Sequence, residues 1–576
     1  MISSLYLHSK SQNRPLRIGV LVDGFRLSAS FRQVLVDIAN SDFANLELVV
    51  VNAAANAANK VHSGGLSRYA SLLRDPMRRS AVLYSMFQRL NIRQRLAGPD
   101  PLEIVDCADI LGNCSRLEVL PITKRFVHRF PPDAITAIQA YKIDVMLRFG
   151  FNILRGEVLT SARFGVWSFH HGDNDHYRGG PAHFWEVVED NPVSGVVLQV
   201  LNEKLDDGLV ICKSMFSTER SLWPNRNRFR PYWGSAHFVI RKLHQLHERG
   251  WDSVREDAVA PAPYRGKSEI YRSPTNAQML RWLAPALGRK VAGRLNPLRR
   301  EQVYHWRICL RKSNTFVPST AGCASRFKWL ESPRGHFYAD PFLCDRGGQV
   351  WLFFEDYHYE DNRGRISCAP VGADLSVGPA RTCLDLPYHL SFPIVFQHDG
   401  EWFMIPESSA NQSVELWRAT DFPYSWKFEK KLFAGSLVDT VPILHQGRWY
   451  FFTSLCATPG NATFGALFSA GDLTGKWEHH PSSPICTDVR SARSAGAIIR
   501  SGDRLFRPVQ DCGEIYGRRM HVEEILELTP DSYRSHRCCS IEPDWERDLA
   551  GTHTYGLCAG IEVRDAVSFV SRSEVA

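Results

Sequence analysis

The feature that most constrains this chain is a phrase that occurs four times in its second half. Gly-Gln-Val-Trp-Leu-Phe-Phe-Glu at 348–355 is echoed by Gly-Glu-Trp-Phe-Met-Ile-Pro-Glu at 400–407, Gly-Arg-Trp-Tyr-Phe-Phe-Thr at 447–453 and Gly-Asp-Arg-Leu-Phe-Arg-Pro at 502–508. Aligned on Trp351, Trp402, Trp449 and Leu505, the intervals are 51, 47 and 56 residues. A period near that length, with several short strands in each unit, predicts the blades of a β-propeller. Each unit opens on an apolar strand, at Asp340–Leu343, Phe392–Phe396, Val441–Leu444 and Ala497–Ile499. A fifth unit is predicted to combine the tail around Thr552–Tyr555 with an early strand near Trp306–Leu310, which would leave no open sheet edge. An irregular β-sandwich is the competing architecture. The three repeated tryptophans read as blade core.

The first half follows another pattern. Arg17–Asp23 is a short apolar run, Val34, Leu35 and Ile38 have helical spacing, and Leu46–Val51 is a second apolar run. Strand, helix and strand at close spacing predict a parallel sheet with a right-handed crossover. Ala134–Tyr141 suits a helix, and Asp144–Leu147, Phe164–Phe169 and Ser194–Val200 suit strands. Tyr264–Arg300 is basic, with Met279, Leu280, Leu283 and Leu287 on one side of a helix. The expected organisation of the 576 residues is an α/β Rossmann-like domain at 1–265, a basic helical linker at 266–302, and an all-β five-bladed propeller at 303–576.

A net charge of +8 over this length, with no dense Lys/Arg block, gives no reason to expect nucleic acid as a partner. The 14 cysteines have no metal-knuckle spacing and are expected to be mostly reduced thiols. No apolar run of 18 residues occurs and the first residues are polar, so neither a transmembrane segment nor a signal peptide is expected. The expected location is cytoplasmic; homo-oligomerisation is left open.

The chemistry-bearing segment of the first half is Gly165–Pro181, where an apolar strand runs into Ser168, His170, His171, Asp173, Asn174, Asp175, His176, Tyr177 and Arg178. Ligands of open α/β sheets bind at the carboxyl ends of strands. Loop spacing fixes no ligand geometry for a metal, and none is expected. His171 and His176 read as surface residues.

This segment resembles the folate-dependent formyltransferase family. Ser168-Phe169-His170 stands at the family's Asn-x-His, Tyr177-Arg178-Gly179-Gly180-Pro181 matches its loop, Ser194-Gly195-Val196 its Thr-Gly-Val, and Asp206-Asp207-Gly208 its Asp-x-Gly. Ile143-Asp144-Val145 with Gly150-Phe151-Asn152 resembles the preceding strand and pterin-side loop, although Phe149 and Phe151 themselves read as core. The resemblance covers roughly residues 16–230. It implies formyl transfer from 10-formyltetrahydrofolate, as co-substrate, to an amine. His170 would donate to the developing oxyanion and Asp206 would hold the His or a water that moves the proton. Tyr177, Arg178, Gly150, Phe151, Asp207 and Gly208 would line the substrate and cofactor side. Arg178 would either bind a phosphate or cap the loop. Ser168 departs from the family's asparagine, with Asn174 as the substitute donor if the loop folds back. Activity with an altered donor set, another acyl group and a binding-only domain are the readings left open.

The second half carries its own candidates. Phe337–Leu343 resembles the innermost strand of arabinanase- and fructosidase-type propeller glycosidases. Residues 303–570 resemble the N-terminal region of glucosamine inositolphosphorylceramide transferases, through Ala339–Leu343, Met404–Ser408 and Arg507–Cys512. Funnel-facing candidates are Asp340, Glu407, Asp439, Gln510, Asp511 and His553. Glycoside hydrolysis needs two carboxyls about a bond, and the glycosidases' acid on the third blade has no clear match here. Sugar recognition without cleavage, hydrolysis or transglycosylation, and a structural role all stay open. The expected activity is formylation of an amino sugar, as a sugar nucleotide, with the propeller holding saccharide. The alternatives are a glycosyl-handling propeller with an inert first domain and a non-catalytic carbohydrate-binding protein.

Overall fold

The apolar runs of the first half form one sheet. In the computed structural model, which describes residues 2–55, 81–260, 262–295, 302–313, 316, 327–457 and 462–575, the strands are Leu16–Val22 (β1), Ala44–Asn52 (β2), Ser115–Val119 (β3), Val145–Arg148 (β4), Val166–His170 (β5), Val193–Val200 (β6) and Leu209–Ser217 (β7). Their order is β7-β6-β5-β4-β1-β2-β3. β5, β4, β1, β2 and β3 run parallel, whereas β6 and β7 are antiparallel to their neighbours. β1 is buried along almost its whole length, as expected of a parallel strand covered on both faces. Helix Ala29–Ala39 (α1) starts where the Ser28 hydroxyl accepts from the Phe31 N–H.

β1 lies between β4 and β2, so its carboxyl end marks the point where the strand order reverses. There the chain passes so close to itself that a Cβ on Gly150 would sit 2.3 Å from the Asp23 nitrogen and 2.5 Å from the Val22 carbonyl carbon. Glycine is the residue that fits.

The chain divides into two compact units, residues 1–289 with 457–462, and 290–456 with 463–576. Helix Asn276–Leu295 (α2) begins in the first of these. Met279 is buried against Tyr177, Phe184, Trp185 and Tyr271, with Trp282 and Leu283 packed beside it. Leu280 and Leu287 are exposed. The expected single apolar face therefore splits, because positions 279 and 283 share one helix face and 280 and 287 another. Residues 296–301 of the expected linker lie outside the described residues. Cys107, Cys212, Cys309, Cys344, Cys368 and Cys383 are buried free thiols. Among the described residues no helix is long and apolar enough to cross a membrane.

The second unit contains five antiparallel sheets among its described residues. Sheet I joins Gln302–Lys312 (β8) and Lys328–Leu330 (β9) from the start of the unit to Tyr555–Cys558 (β27) and Ile561–Ser571 (β28) from its end. β8 pairs with β28 from Gln302↔Ser571 to Lys312↔Ile561, so the early strand does join the tail, but through 561–571; of the expected stretch at Thr552–Tyr555 only Tyr555 is a strand residue of this sheet, opening β27 on the other side of β28. Sheet II is His336–Arg346 (β10), Gln349–His358 (β11), Arg363–Val371 (β12) and Arg381–Leu384 (β13). Sheet III is Ser391–His398 (β14), Glu401–Ser408 (β15), Ser413–Asp421 (β16) and Ser425–Ala434 (β17). Sheet IV is Leu437–His445 (β18), Arg448–Ala457 (β19), Ala462–Ala470 (β20) and Glu478–His479 (β21). Sheet V has Arg493–Ser494 (β22) and Ile499–Ser501 (β23) pairing with Arg504–Asp511 (β24), then Arg519–Leu528 (β25) and Tyr533–Ile541 (β26). Trp351, Trp402 and Trp449 all pack within the hydrophobic clusters of these sheets.

The first strands of sheets II, III and IV break register at one equivalent place, between Ala339 and Phe342, Ser391 and Ile394, and Val438 and Val441. Asp340, Phe392 and Asp439 occupy these bulges with φ of 50°, 45° and 52°. The true counterpart of Asp340 in the fourth sheet is thus Asp439. Matching Val441-Pro442 to Asp340-Pro341 sets that strand two residues out of register, because the proline has moved relative to the bulge.

Replacing Gly150 by Ala is expected to cost about 1–3 kcal/mol or more through forced overpacking, seen as a lower urea midpoint. Gly24→Ala, where a Cβ meets nothing within 4 Å, is the neutral control.

Candidate functional sites

In the first unit, β5 delivers His170 to the start of the polar loop. Its Nε2 lies 2.7 Å from the Tyr177 carbonyl oxygen, which fixes the ring and turns Nδ1 toward Asp206, 3.5 Å away. Both side chains are largely buried, at 8% and 13% exposure. Asp206 comes from the β6–β7 turn in the left-handed region, φ 50°, and its Oδ2 accepts from the Gly179 N–H. Gly208 follows, where a Cβ would meet the Val200 carbonyl oxygen at 2.2 Å. Three motif segments therefore meet at one pair of side chains.

Other expected residues have structural work in the loop. The Arg178 Nε donates to the Asn174 carbonyl, its NH2 group to Asp207, and its guanidinium lies over the Tyr264 ring, so it caps the loop. Tyr177 is buried, its hydroxyl accepting from Asn191. Asn174 turns its amide oxygen to Lys213 Nζ, which also binds Asp173 and Asp175. Burial opposes ionisation of Asp173, but Lys213 outweighs it and holds that carboxyl below its ordinary value. Phe151 belongs to the core, with Phe130 and Leu154, while its N–H donates to Asp23. His171 is no surface residue. It is stacked on Tyr232 at 3.7 Å and on Phe169, and burial, with His183 and His170 nearby, holds its pKa well below the ordinary value.

Arg148, at the end of β4, is the residue that sequence reasoning missed. Its guanidinium donates to the Ser168 hydroxyl at 3.0 Å and to the Phe151 carbonyl at 3.2 Å. Burial lowers its pKa, opposed by the charges of Asp206 and Asp23. The Ser168 hydroxyl in turn donates to the Phe169 carbonyl.

In the second unit, the bulges aim Asp340 and Asp439 at a cluster of carboxyls. Asp340 accepts from Thr554 Oγ1 at 2.8 Å and from the Phe392 N–H at 3.2 Å, and its own N–H donates to Asp565. Asp565 accepts from the N–H groups of His553 and Thr554 and lies 2.5 Å from His553 Nδ1. His553 stacks on Trp306 at 3.8 Å. Asp439 is gripped by Arg493 through Nε at 2.6 Å and NH2 at 3.1 Å, and accepts from Gln510. Glu407 lies 3.9 Å from the same guanidinium and accepts from Ser409. Tyr516, 44% exposed, lies under the Arg493 guanidinium and edge-on to His553.

The charges are unbalanced, and the pKa values follow. Burial, then Asp439, pushes Glu407 up to about 8 against the pull of Arg493. Burial pushes Asp340 up to about 6 despite His553. Glu355 is raised well above its usual value by burial and by Asp340, Glu407 and Asp565. Burial opposes the His553 imidazolium, yet Asp565 and Asp340 outweigh it and hold its pKa above the ordinary histidine value. Burial and mutual repulsion thus hold Asp340, Glu355 and Glu407 above their ordinary values beside one arginine, a pattern suited to acid–base work and to binding a cation.

Asp340, Glu407, Asp439, Gln510 and His553 are brought together. Asp511 is not. It follows Gln510 on β24, so its side chain takes the opposite face, where it pairs with His521 and Arg519. Glu355 and Asp565 went unnoticed as candidates. The signal for Glu355 was present, since it closes the first repeated phrase as Glu407 closes the second. Three groups of described residues bring metal-ligating atoms within 4.8 Å of one another, namely Asp340/His553/Asp565, His336/Asp356/His358 and Glu524/His536/Cys538. The polar loop after β5 contributes none of these.

Residues 315–545 match the family model described as Glucosamine inositolphosphorylceramide transferase 1, N-terminal. The transferase of that name from Arabidopsis thaliana is 37% identical over 205 residues, which are 34% of this chain and 27% of the relative. The one from Oryza sativa subsp. indica is 36% identical over 208 residues, with the same coverage. The chain therefore spans about a quarter of the length of these curated relatives. The second unit contains a region similar to the N-terminal region of those transferases. That region holds Asp340, Glu355, Glu407, Asp439 and Arg493; His553 and Asp565 lie beyond it. Among solved structures, glycinamide ribonucleotide transformylase 1 from Symbiobacterium toebii aligns at 14% identity and a TM-score of 0.28, covering 41% of this chain and 89% of that one. Zg3597, a family 117 glycoside hydrolase from Zobellia galactanivorans, aligns at 11% and 0.32, covering 46% and 91%.

A raised carboxyl pKa ties stability to pH. The folded Glu407 binds its proton up to about 8, against an ordinary value of 4.5. Its contribution to stability is full below the ordinary value and is lost as pH rises through the folded one. Thermal melts of the wild type are expected to fall across that window, and Glu407→Gln to flatten the fall.

Proposed function

We propose that this chain is a transferase of glycan assembly whose second unit, a closed five-bladed propeller, holds an amino sugar by its ammonium group. The observation that carries this is the excess of carboxyls at one place. Asp340, Glu407, Asp439 and Asp565 lie about the Arg493 guanidinium and the His553 imidazole, Glu355 lies near them with His389 at 3.5 Å, and three of the five carboxyls are driven toward the protonated form. An ammonium group supplies the missing positive charge and three donors. The exposed Tyr516 ring offers a face for the sugar. The match to a transferase named for glucosamine supports the same substrate class. Ring closure is supported by β8–β28 pairing and by the N–H groups of Tyr555 and Thr552, which donate to Ala495 and Gly517 and join sheet I to sheet V. Calorimetric titration with a glucosamine-terminated saccharide and its N-acetylated form tests this. Binding of the free amine alone is expected, weakened at least about tenfold by Asp439→Asn, the loss of one charge-assisted contact. Equal binding of both sugars overturns it.

A second reading concerns the first unit, and the 3.5 Å approach of His170 to Asp206 favours it. There the chain transfers a formyl group from 10-formyltetrahydrofolate to a sugar amine. The amine nitrogen bonds to the formyl carbon, and the carbonyl electrons form an oxyanion facing the Arg148 guanidinium. The Asp206–His170 pair takes the proton from the attacking nitrogen. Collapse breaks the bond to N10 of the folate, which leaves with a proton. With amino-sugar nucleotides as acceptors, His170→Ala and Asp206→Ala are each expected to lower turnover about 10²–10⁴-fold. Unchanged turnover in either variant removes this site from the reaction.

A further inference from the structure

Outside both sites, sheet II carries three side chains that register forces onto one face. Asp356 and His358 are two apart on β11, and His336 of β10 is the direct cross-strand partner of His358. One oxygen of Asp356, Oδ1, lies 2.8 Å from His336 Nδ1 and 3.5 Å from His358 Nε2. The two imidazole rings are 3.9 Å apart, centre to centre. The other carboxylate oxygen accepts from the Ser367 hydroxyl at 3.0 Å, which leaves Oδ1 aimed at the imidazoles.

A simple His–Asp ion pair accounts for half of this. His336 and Asp356 satisfy each other. His358 Nε2 is buried and has no hydrogen-bond partner, a state that ordinarily costs about 1–3 kcal/mol. Arg365, opposite Asp356 on β12, donates through Nε and NH2 to Asp385 and Asp361. A tetrahedral ion with bonds of about 2.0–2.1 Å spaces its ligand atoms about 3.4 Å apart; the Asp356–His358 pair stands at 3.5 Å, the Asp356–His336 pair is hydrogen-bonded at 2.8 Å, and all three ligand atoms lie within 4.8 Å of one another.

We propose that His336, Asp356 and His358 bind a divalent transition-metal ion of the zinc class, with Ser367 orienting the carboxylate and the fourth position open to water. The ion clamps β10 to β11 at the end away from their connecting turn. Two imidazoles and one carboxylate suit zinc among the common divalent ions, whereas calcium and magnesium prefer all-oxygen sites. The clamp is independent of the amino-sugar and formyl-transfer readings.

The test uses the untagged full chain, stripped with chelator and titrated with Zn2+. One ion per chain is expected, with a higher melting temperature on loading. Ser367→Ala is expected to weaken binding about 10–100-fold, the usual effect of losing an outer partner of a metal ligand. His358→Ala and His336→Ala are expected to weaken it further, and Cys538→Ser and His553→Ala to leave it unchanged. Co2+ in place of zinc is expected to show a visible spectrum without a thiolate charge-transfer band. Failure to retain zinc overturns the proposal. So does retention that His358→Ala and Ser367→Ala do not alter, a thiolate band, or loss of the ion on His553→Ala. Circular dichroism checks that each variant is folded; Ser367→Ala, which removes no ligand, keeps the test sharp if a histidine variant is not.

Discussion

The grip of Arg493 on Asp439 is the contact on which the second unit's interior depends. Removing either partner would leave a buried charge without its counterion, a loss of about 3–5 kcal/mol in comparable pairs. Asp439 reaches Arg493 because β18 bulges and turns φ positive at that residue. The same bulge recurs at Asp340 and Phe392, so one backbone device, repeated in sheets II, III and IV, mounts Asp340 and Asp439 and supplies the Phe392 N–H that Asp340 accepts from. Non-glycine residues hold such φ values only when the surroundings over-determine them. Here the surroundings are hydrogen bonds from Thr554, the Phe392 N–H and Arg493 itself.

The first unit solves a different electrostatic problem. Its parallel strands bring Asp23 and Arg148 to one end of the sheet, the antiparallel β6–β7 turn brings Asp206 to them, and the cation sits where two carboxylates can offset its burial. Ser168 is short enough to leave room for the long Arg148 side chain. Ser168 and Arg148 are thus two halves of one pair, the hydroxyl accepting from the guanidinium.

Much of this was legible in the sequence, and the reasons differ by element. The repeat revealed the sheets because each must bury an apolar second strand, and Trp351, Trp402 and Trp449 mark those strands. The partnership of the unit's two ends was legible because unpaired edges are costly. The register of β18 was not, since proline at 442 mimics proline at 341 while the bulge is set by pairing. Side-chain alternation separates Gln510 from Asp511, yet a bare sequence does not say which of two neighbours faces inward. His170 and Asp206 could be paired through ordered motifs 36 residues apart. Arg148 could not, because a single arginine after Val-Met-Leu looks like the solvated end of a strand.

Sheet I has a consequence for how the protein is made. β8 is synthesised near the beginning of the second unit, and its partner β28 spans 561–571, close to the end of the chain. At ribosomal speeds β8 waits on the order of ten seconds or more for that partner, exposing an apolar strand edge throughout. The sheet that joins the two ends is necessarily the last to form. The second unit therefore cannot complete its fold before residues 561–571 have been made, and its aggregation hazard is concentrated in that interval.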